Sequence, residues 1–142
     1  MAKKTADAEM QEFTQAIGLL VRRLRAAGRS QDLSLTESAV LARLDREGPA
    51  TTADLARAEG VKPQSMGATV AALENEGMVT RRPHPTDGRQ VMIALTAKGA
   101  GVRKSVKDAK HTWLAQALMG LEKREQETLF RAGEIIRRLA EQ

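Results

Sequence analysis

One short polar run, PHPTDGRQ at residues 83–90, holds the residues best suited to chemistry. Asp87 and Arg89 flank Gly88, a residue that permits a positive φ where the chain must reverse. A guanidinium is weakly hydrated and suits an anionic partner, and a carboxylate two residues away can hold it through a bidentate pair. An isolated pair of this kind is a surface salt bridge worth about 0–1 kcal/mol. The spacing supports recognition of an anion by Arg89, with Asp87 fixing the direction of its side chain.

Positive charge is concentrated around this run. The whole chain of 142 residues has a formal net charge of +5, from 23 Lys and Arg against 18 Asp and Glu. Within residues 79–98 there are four basic and one acidic side chains, and four minus one gives +3: Arg81, Arg82, Arg89, Lys98 and Asp87. A solvated loop needs no such bias, so an anionic polymer is the expected partner.

Other kinds of site lack the residues they need. The chain has no cysteine, which removes disulfides, thiolate metal sites and cysteine nucleophiles. Its two histidines, His84 and His111, are far apart, and no metal-ligand, catalytic-triad or phosphate-loop spacing is present. We therefore expect no enzyme activity, no metal and no cofactor. His84 lies in the basic segment and is expected to contact solvent or phosphate.

Composition narrows the class of protein. A chain of this length predicts one domain, and a hydrophobic content of 42% argues against disorder. The first ten residues lack an apolar signal core, and no apolar run approaches the roughly 20 residues that span a bilayer. The expectation is a soluble cytoplasmic protein with no membrane partner. Aromatic residues are scarce, which favours duplex DNA over RNA, because readers of single strands stack bases on aromatic rings.

Glycines and prolines divide the first half of the chain into helices. Apolar periodicity predicts a long helix over residues 7–27. Three short helices follow: one from a Thr36 cap to Gly48, one from a Thr52 cap to Gly60, and one from Pro63 to Gly77. Their apolar positions are Val40, Leu41, Leu44, Leu55, Ala56, Met66, Val70 and Leu73, and the last three are predicted to point inward.

The pattern changes after Gly77. Residues 78–82 and 91–95 are typical of two short strands, and together with the polar run they predict a hairpin, which we call the wing; residues 83–90 are its tip. Thr96 then caps a long helix through residue 118, and a last helix covers residues 121–140. The first and last helices carry more apolar positions than one small domain covers, which favours a dimer interface over a monomeric bundle.

This order of elements is that of a winged helix-turn-helix, a mainly α fold with a small β-hairpin. The helix that begins at Pro63 is the predicted recognition helix, because an α-helix fits the major groove of B-form DNA. Its expected contacts are Gln64 with adenine, Ser65 or Thr69 with bases or phosphate, and Lys62 with phosphate, while the small Ala68 lets the helix sit deep in the groove.

The wing is expected to bind beside that helix. Arg89 is predicted to enter the minor groove, and Arg81 or Arg82 to hold a backbone phosphate. Fold alone does not settle function. Two alternatives stay open at this point: an architectural DNA binder indifferent to sequence, and a protein-interaction module whose basic wing meets an acidic partner.

Several runs of residues share their order and spacing with one known family. They are Arg81-Arg82-Pro83 … Asp87-Gly88-Arg89 … Leu95-Thr96-Ala97-Lys98-Gly99 in and after the wing, LTESAVL at 35–41, LA at 55–56, and LENEGMV at 73–79. In these runs the sequence resembles the MarR family of bacterial transcriptional regulators. The resemblance extends over about residues 8–140, and the wing is its most specific part.

The resemblance implies one MarR-type domain over residues 8–140, with a DNA-binding lobe at about 34–96 and dimerisation helices at about 7–28 and 97–141. It implies a homodimer that binds a palindromic operator and usually represses it. In many members of the family a small aromatic or anionic effector releases the DNA. His111 and Trp113 are the candidates to line such a pocket; a surface histidine and a core tryptophan are the alternatives.

Overall fold

The computed structural model describes residues 3–29 and 32–142. Its elements in chain order are α1 (Ala6–Ala27), α2 (Leu35–Glu47), β1 (Ala50–Thr51), α3 (Thr52–Glu59), α4 (Pro63–Asn75), β2 (Val79–Pro83), β3 (Val91–Leu95), α5 (Ala97–Met119) and α6 (Lys123–Ala140). The predicted mainly α fold, with short helices followed by a hairpin, is confirmed. No helix in the described ranges is long and apolar enough to cross a membrane.

The chain forms two compact units. Residues 28–107 make one unit, which contains α2, α3, α4, the sheet and the first part of α5. Residues 3–27 and 108–142 make the other, which contains α1, the end of α5 and α6. The predicted recognition helix and wing therefore belong to the same unit.

The sheet of the first unit has three antiparallel strands in the order β1-β3-β2. β2 and β3 form the predicted hairpin, with a register that runs from Val79 opposite Leu95 to Pro83 opposite Val91. β1, which was not predicted, pairs Ala50 with Ile93 on the other edge of β3. The central position of β3 fixes the base of the wing against the segment that leads into α3.

A single apolar core supports these elements. The three side chains predicted to point inward, Met66, Val70 and Leu73, have an exposed fraction of zero. The other apolar residues of the short helices, Val40, Leu41, Leu44, Leu55 and Ala56, are buried as well. Met78, Val79 and Ile93 bring the wing into the same cluster. Burying a large aliphatic side chain contributes roughly 1.5–3 kcal/mol, so this core holds the three short helices and the sheet together.

Two predicted helix caps are wrong by one or two residues. α2 begins after Ser34 rather than Thr36: the Ser34 hydroxyl accepts the Glu37 N–H at 3.1 Å, and the Glu37 carboxylate accepts the Ser34 N–H at 3.2 Å. α3 begins after Thr51 rather than Thr52, because the Thr51 hydroxyl accepts the Asp54 N–H. In both cases the cap is the residue whose oxygen reaches the N–H three positions ahead.

The start of α5 is bonded to the turn between α4 and β2. The Thr96 hydroxyl donates to the Gly77 carbonyl at 2.5 Å and accepts the Gly99 N–H at 3.1 Å, which confirms Thr96 as the cap. The Lys98 ammonium donates to the Glu76 carbonyl at 2.7 Å. Gly99 is buried so close to Met78 that a Cβ atom on it would lie 2.1 Å from the Met78 carbonyl oxygen.

Ion pairs join α2 to its neighbours within this unit. The Arg43 guanidinium lies 2.9 Å from the Glu59 carboxylate of α3, and this hydrogen bond raises the pKa of Arg43. The Asp45 carboxylate accepts Lys107 of α5 at 2.6 Å and lies 3.6 Å from Arg103. The Lys107 hydrogen bond lowers the pKa of Asp45, so the carboxylate stays ionised and bonded near neutral pH.

The helices of the second unit leave much of their apolar surface exposed. No described residue of α1 or α6 is buried. The large apolar side chains exposed on these two helices are Met10, Phe13, Leu19, Leu20, Val21, Leu129, Phe130, Ile135, Ile136 and Leu139. Exposure of so many large apolar side chains marks an interaction site on a folded protein.

The close approach at Gly99 makes a test of the α5 attachment. We expect Gly99→Ala to lower the free energy of unfolding by about 1–3 kcal/mol, because its methyl group would collide with the Met78 carbonyl. Gly101→Ala on the same helix meets no atom within 4 Å and should raise stability by about 0.5–1 kcal/mol. Urea unfolding at one fixed protein concentration measures both; equal effects would contradict the steric account.

Candidate nucleic-acid interface

α4 presents a polar and small-residue face to solvent. Met66, Val70 and Leu73 occupy its buried face, and Gln64, Ser65 and Ala68 are exposed to solvent. Thr69 is half-buried and donates its hydroxyl to the Ser65 carbonyl at 3.1 Å, so that its oxygen remains an acceptor. The residues of α4 that are predicted to contact DNA are therefore accessible on one side of the helix.

The first turn of α4 is suited to an anion. Pro63 occupies the first helical position, where its missing N–H costs no hydrogen bond. Lys62 stands at the N-cap position, is exposed, and makes no capping bond through its side chain. The free N–H groups and the partial positive charge of a helix N-terminus attract phosphate, and the Lys62 ammonium adds to both.

The turn before α4 depends on Gly60. This residue ends α3 with φ 65°, a left-handed conformation that L side chains rarely adopt. Its N–H bonds back to the Ala56 and Arg57 carbonyls, which closes the last turn of α3. The chain can then reverse within Val61 and Lys62 and enter α4, which gives the helix-turn-helix its tight corner.

The wing tip is closed by a ring of hydrogen bonds. The His84 N–H donates to the Gln90 carbonyl at 3.2 Å, and the Gln90 N–H donates to the Asp87 carbonyl at 3.0 Å. The Asp87 N–H then donates to Nδ1 of the His84 ring at 3.0 Å. The Thr86 N–H reaches the same nitrogen at 3.2 Å. These bonds hold residues 84–90 in one defined conformation.

Arg89 is positioned differently from the prediction. The Asp87 carboxylate accepts the backbone N–H of Arg89 at 3.0 Å, rather than forming the expected bidentate pair with its guanidinium. Gly88 does not use the positive φ that glycine permits; among the described residues a positive φ occurs at Gly48, Gly60 and Gly77. An Asp at the first position of a β-turn bonds the N–H two residues on, and both central residues can then keep negative φ.

The two arginines of β2 have different partners. Arg81 Nε lies 3.0 Å from the Glu74 carboxylate, so Arg81 ties the wing to the end of α4. Arg82 points to the other side of the strand, is exposed, and has no carboxylate within ion-pair distance in the described part of the chain. Arg82 and the exposed Arg89 are therefore the wing cations with open guanidinium groups.

The candidate effector residues lie on the part of α5 that belongs to the second unit. His111 is exposed, and Trp113 is half-buried. The guanidinium carbon of Arg23 on α1 lies 5.6 Å from the centre of the Trp113 ring, within the range of a cation–π contact. Among residues 3–29 and 32–142, no group of three or more His, Asp or Glu is placed to hold a metal ion.

Two contacts of the wing are not predicted from the sequence. Glu74 was not singled out, because its partner Arg81 is seven residues away on another element. His84 was expected to contact solvent or phosphate, whereas its ring accepts two backbone N–H groups. The His84 contact does have a local signal in the sequence. In turns, a side-chain acceptor often bonds the backbone N–H groups two or three residues ahead of it.

Relatives of known sequence agree with this arrangement. The model of the MarR family matches residues 33–91. An HTH-type transcriptional regulator of Mycobacterium tuberculosis is 35% identical over 131 residues, which cover 92% of both chains. An HTH-type transcriptional repressor of the same organism is 31% identical over 99 residues, which cover 69% of this chain and 71% of the repressor.

Solved structures show the same fold. The crystal structure of RV1404 from Mycobacterium tuberculosis matches with a TM-score of 0.83 and 26% identity over 97% of this chain and 96% of that one. The structure of a MarR family protein from Bacillus stearothermophilus matches with a TM-score of 0.82 and 20% identity over the whole of both chains. With the sequence relatives, these matches show that the chain belongs to the MarR family of DNA-binding transcriptional regulators.

Proposed function

We propose that this protein is a homodimeric repressor in which each protomer binds half of a palindromic operator through α4 and the wing. The observation that carries the proposal is an exposed surface of residues 28–107 that is suited to bind anions. It consists of the first turn of α4 with Lys62, and of the hydrogen-bonded wing tip with Arg89. Its positive charge is complementary to the phosphates of duplex DNA, and an α-helix such as α4 fits the width of the major groove. The protein would act by binding, in the cytoplasm, and not by catalysis.

The proposed major-groove contacts come from α4. Gln64 has the amide geometry to pair with adenine, and the hydroxyls of Ser65 and Thr69 can bond bases or phosphate. Ala68 projects little beyond the backbone, so the helix can approach the base edges closely. Lys62 and the N–H groups after Pro63 would hold a phosphate and set the depth of the helix.

The proposed minor-groove contact is Arg89. A narrow groove concentrates negative potential and attracts a guanidinium that is weakly hydrated. Asp87 would aim Arg89 through the backbone, since its carboxylate holds the Arg89 N–H. Arg82 would hold a phosphate beside the wing, while Arg81, which is bonded to Glu74, would keep the wing attached to α4.

The dimer proposal is supported by the exposed apolar faces of α1 and α6. A protomer that left ten large apolar side chains in water would aggregate or pair. Dimer interfaces are large and resemble a core, and they join the same surface on both copies. Twofold symmetry then requires an inverted repeat with half-sites about 10 bp apart.

Repression is supported by the relative named as a transcriptional repressor. Release of the DNA by a small effector stays a prediction. Trp113 with Arg23 offers an apolar ring and a cation together, which is the chemistry that an aromatic anion needs, and His111 lies exposed on the same helix. The effector would bind better to a conformation in which the two recognition helices no longer match the spacing of the half-sites.

The central test is selectivity for one duplex. A pool of randomised duplexes is enriched with the full-length protein, and the selected duplex is compared with a scrambled one by mobility shift at several salt concentrations. We expect a preference of about 10³ or more near physiological salt. Near-equal affinities would support a sequence-indifferent architectural binder, and no binding of either duplex would support a protein-interaction module.

Arg89→Ala should weaken binding of the selected duplex by about 1–3 kcal/mol, because the wing loses its groove contact. The matched control is Arg46→Ala, which removes an exposed arginine from α2 and should change the affinity little. Light scattering should give the same mass for both variants and the parent. Equal losses for the two variants would mean that Arg89 contributes only net charge, and an unchanged affinity would contradict the wing assignment.

Light scattering of the parent protein should give twice the 15.4 kDa of one chain. Ile136→Asp should shift the mass toward one chain and abolish tight operator binding, because a buried, unpaired carboxylate would disrupt the apolar interface. Glu127→Ala, an exposed substitution on the polar side of α6, should leave the dimer intact. A parent protein of one-chain mass at micromolar concentration would rule the dimer out.

A further inference from the structure

The ring of His84 is part of the wing tip and not a free surface group. Its Nδ1 atom lies 3.0 Å from the Asp87 nitrogen and 3.2 Å from the Thr86 nitrogen. A backbone N–H can only donate, so Nδ1 must accept both bonds with its lone pair. The neutral ring that carries its proton on Nε2 can do this, and the protonated ring cannot.

We propose that His84 is a positioning residue for DNA binding: its neutral ring holds the Asp87 turn that aims Arg89, and protonation of the ring weakens the wing's hold on DNA. The inference rests on the proposed function of the wing. It adds a pH-dependent element to that function, which neither Asp87 nor Arg89 supplies. Histidine is the side chain whose charge commonly changes between about pH 5 and 8.

The path from His84 to Arg89 is short and continuous. The ring holds the Asp87 N–H, the Asp87 carboxylate holds the Arg89 N–H, and the Asp87 carbonyl holds the Gln90 N–H. A proton on Nδ1 would place a third donor against two donors, and both bonds to the ring would be lost. Asp87 would then lose the anchor of its own backbone, and the turn that carries Arg89 would loosen.

The charged groups near His84 come from the hairpin itself and from α4. β3, the strand paired with β2, carries no ionisable side chain. From α4, which also packs on β2, the facing carboxylate is Glu74, and it is paired with Arg81. Within the hairpin the remaining charges are those of Asp87, Arg82 and Arg89.

Asparagine is the matched replacement at this position. The Oδ1 atom of an Asn side chain sits where Nδ1 sits in histidine, and Asn commonly accepts the N–H two residues ahead in turns. His84→Asn thus keeps the acceptor and removes the titration. His84→Ala removes both. His111, the other histidine of the chain, is retained in each variant, so any contribution of its protonation is common to all.

The experiment measures affinity for the selected duplex at pH 7.5 and 5.5 at constant ionic strength. At pH 7.5 we expect His84→Asn to bind like the parent and His84→Ala to bind about tenfold more weakly, since one or two hydrogen bonds are lost. At pH 5.5 the parent should lose about three- to tenfold relative to His84→Asn. Identical pH profiles for the two would overturn the proposal, as would a gain for the parent in acid, which would indicate a direct phosphate contact.

A second measurement separates this proposal from the function of the wing. The ¹⁵N shifts of the ring in the DNA-free dimer should show the Nε2-protonated tautomer of His84 at pH 7.5. A proton on Nδ1 would overturn the inference whatever the DNA result. Conversely, if Arg89→Ala left DNA affinity unchanged while the ring showed the expected tautomer, the proposed role of the wing would fail and the geometry of the tip would stand.

Discussion

Burial of one face of α4 is the constraint on which the proposed DNA-binding surface depends. Met66, Val70 and Leu73 are completely enclosed, and turning the helix about its axis would expose them at roughly 25 cal/mol for each Å² of apolar surface. The opposite face, with Gln64 and Ala68, is thereby fixed toward solvent. Ile93 of the central strand belongs to the same core, so one packing arrangement sets the directions of both the helix and the wing.

Much of this unit follows from local signals in the sequence. Apolar periodicity and glycine placement predict the buried residues of α2, α3 and α4, because those residues repeat with the helix turn. β1 escapes prediction, since two residues have no period and their strand is defined by pairing with distant Met92 and Ile93. The caps at Ser34 and Thr51 were missed because a residue type alone does not show which oxygen meets an N–H three positions ahead.

The site is only partly visible from residue types. The outward position of Gln64 and Ser65 follows from the helix period. Which group each basic side chain binds does not follow from the sequence. Arg81 of the wing and Lys98 of α5 both count toward the basic character of residues 79–98. Arg81 is bonded to the Glu74 carboxylate of α4, and Lys98 to the carbonyl of Glu76, which follows α4. These contacts depend on where the chain returns in space. They show that some of the basic side chains counted in the sequence are already bonded within the folded protein.

The prolines on either side of His84 add a property of their own. Pro83 and Pro85 have φ fixed near −65°, and the ring of hydrogen bonds restrains the residues between Pro85 and Gln90. Fixing the backbone of a flexible residue costs roughly 1–2 kcal/mol in conformational entropy, and this loop has already lost that freedom in the free protein. The tip is accordingly stiff before any partner binds, so that binding there costs little further backbone entropy.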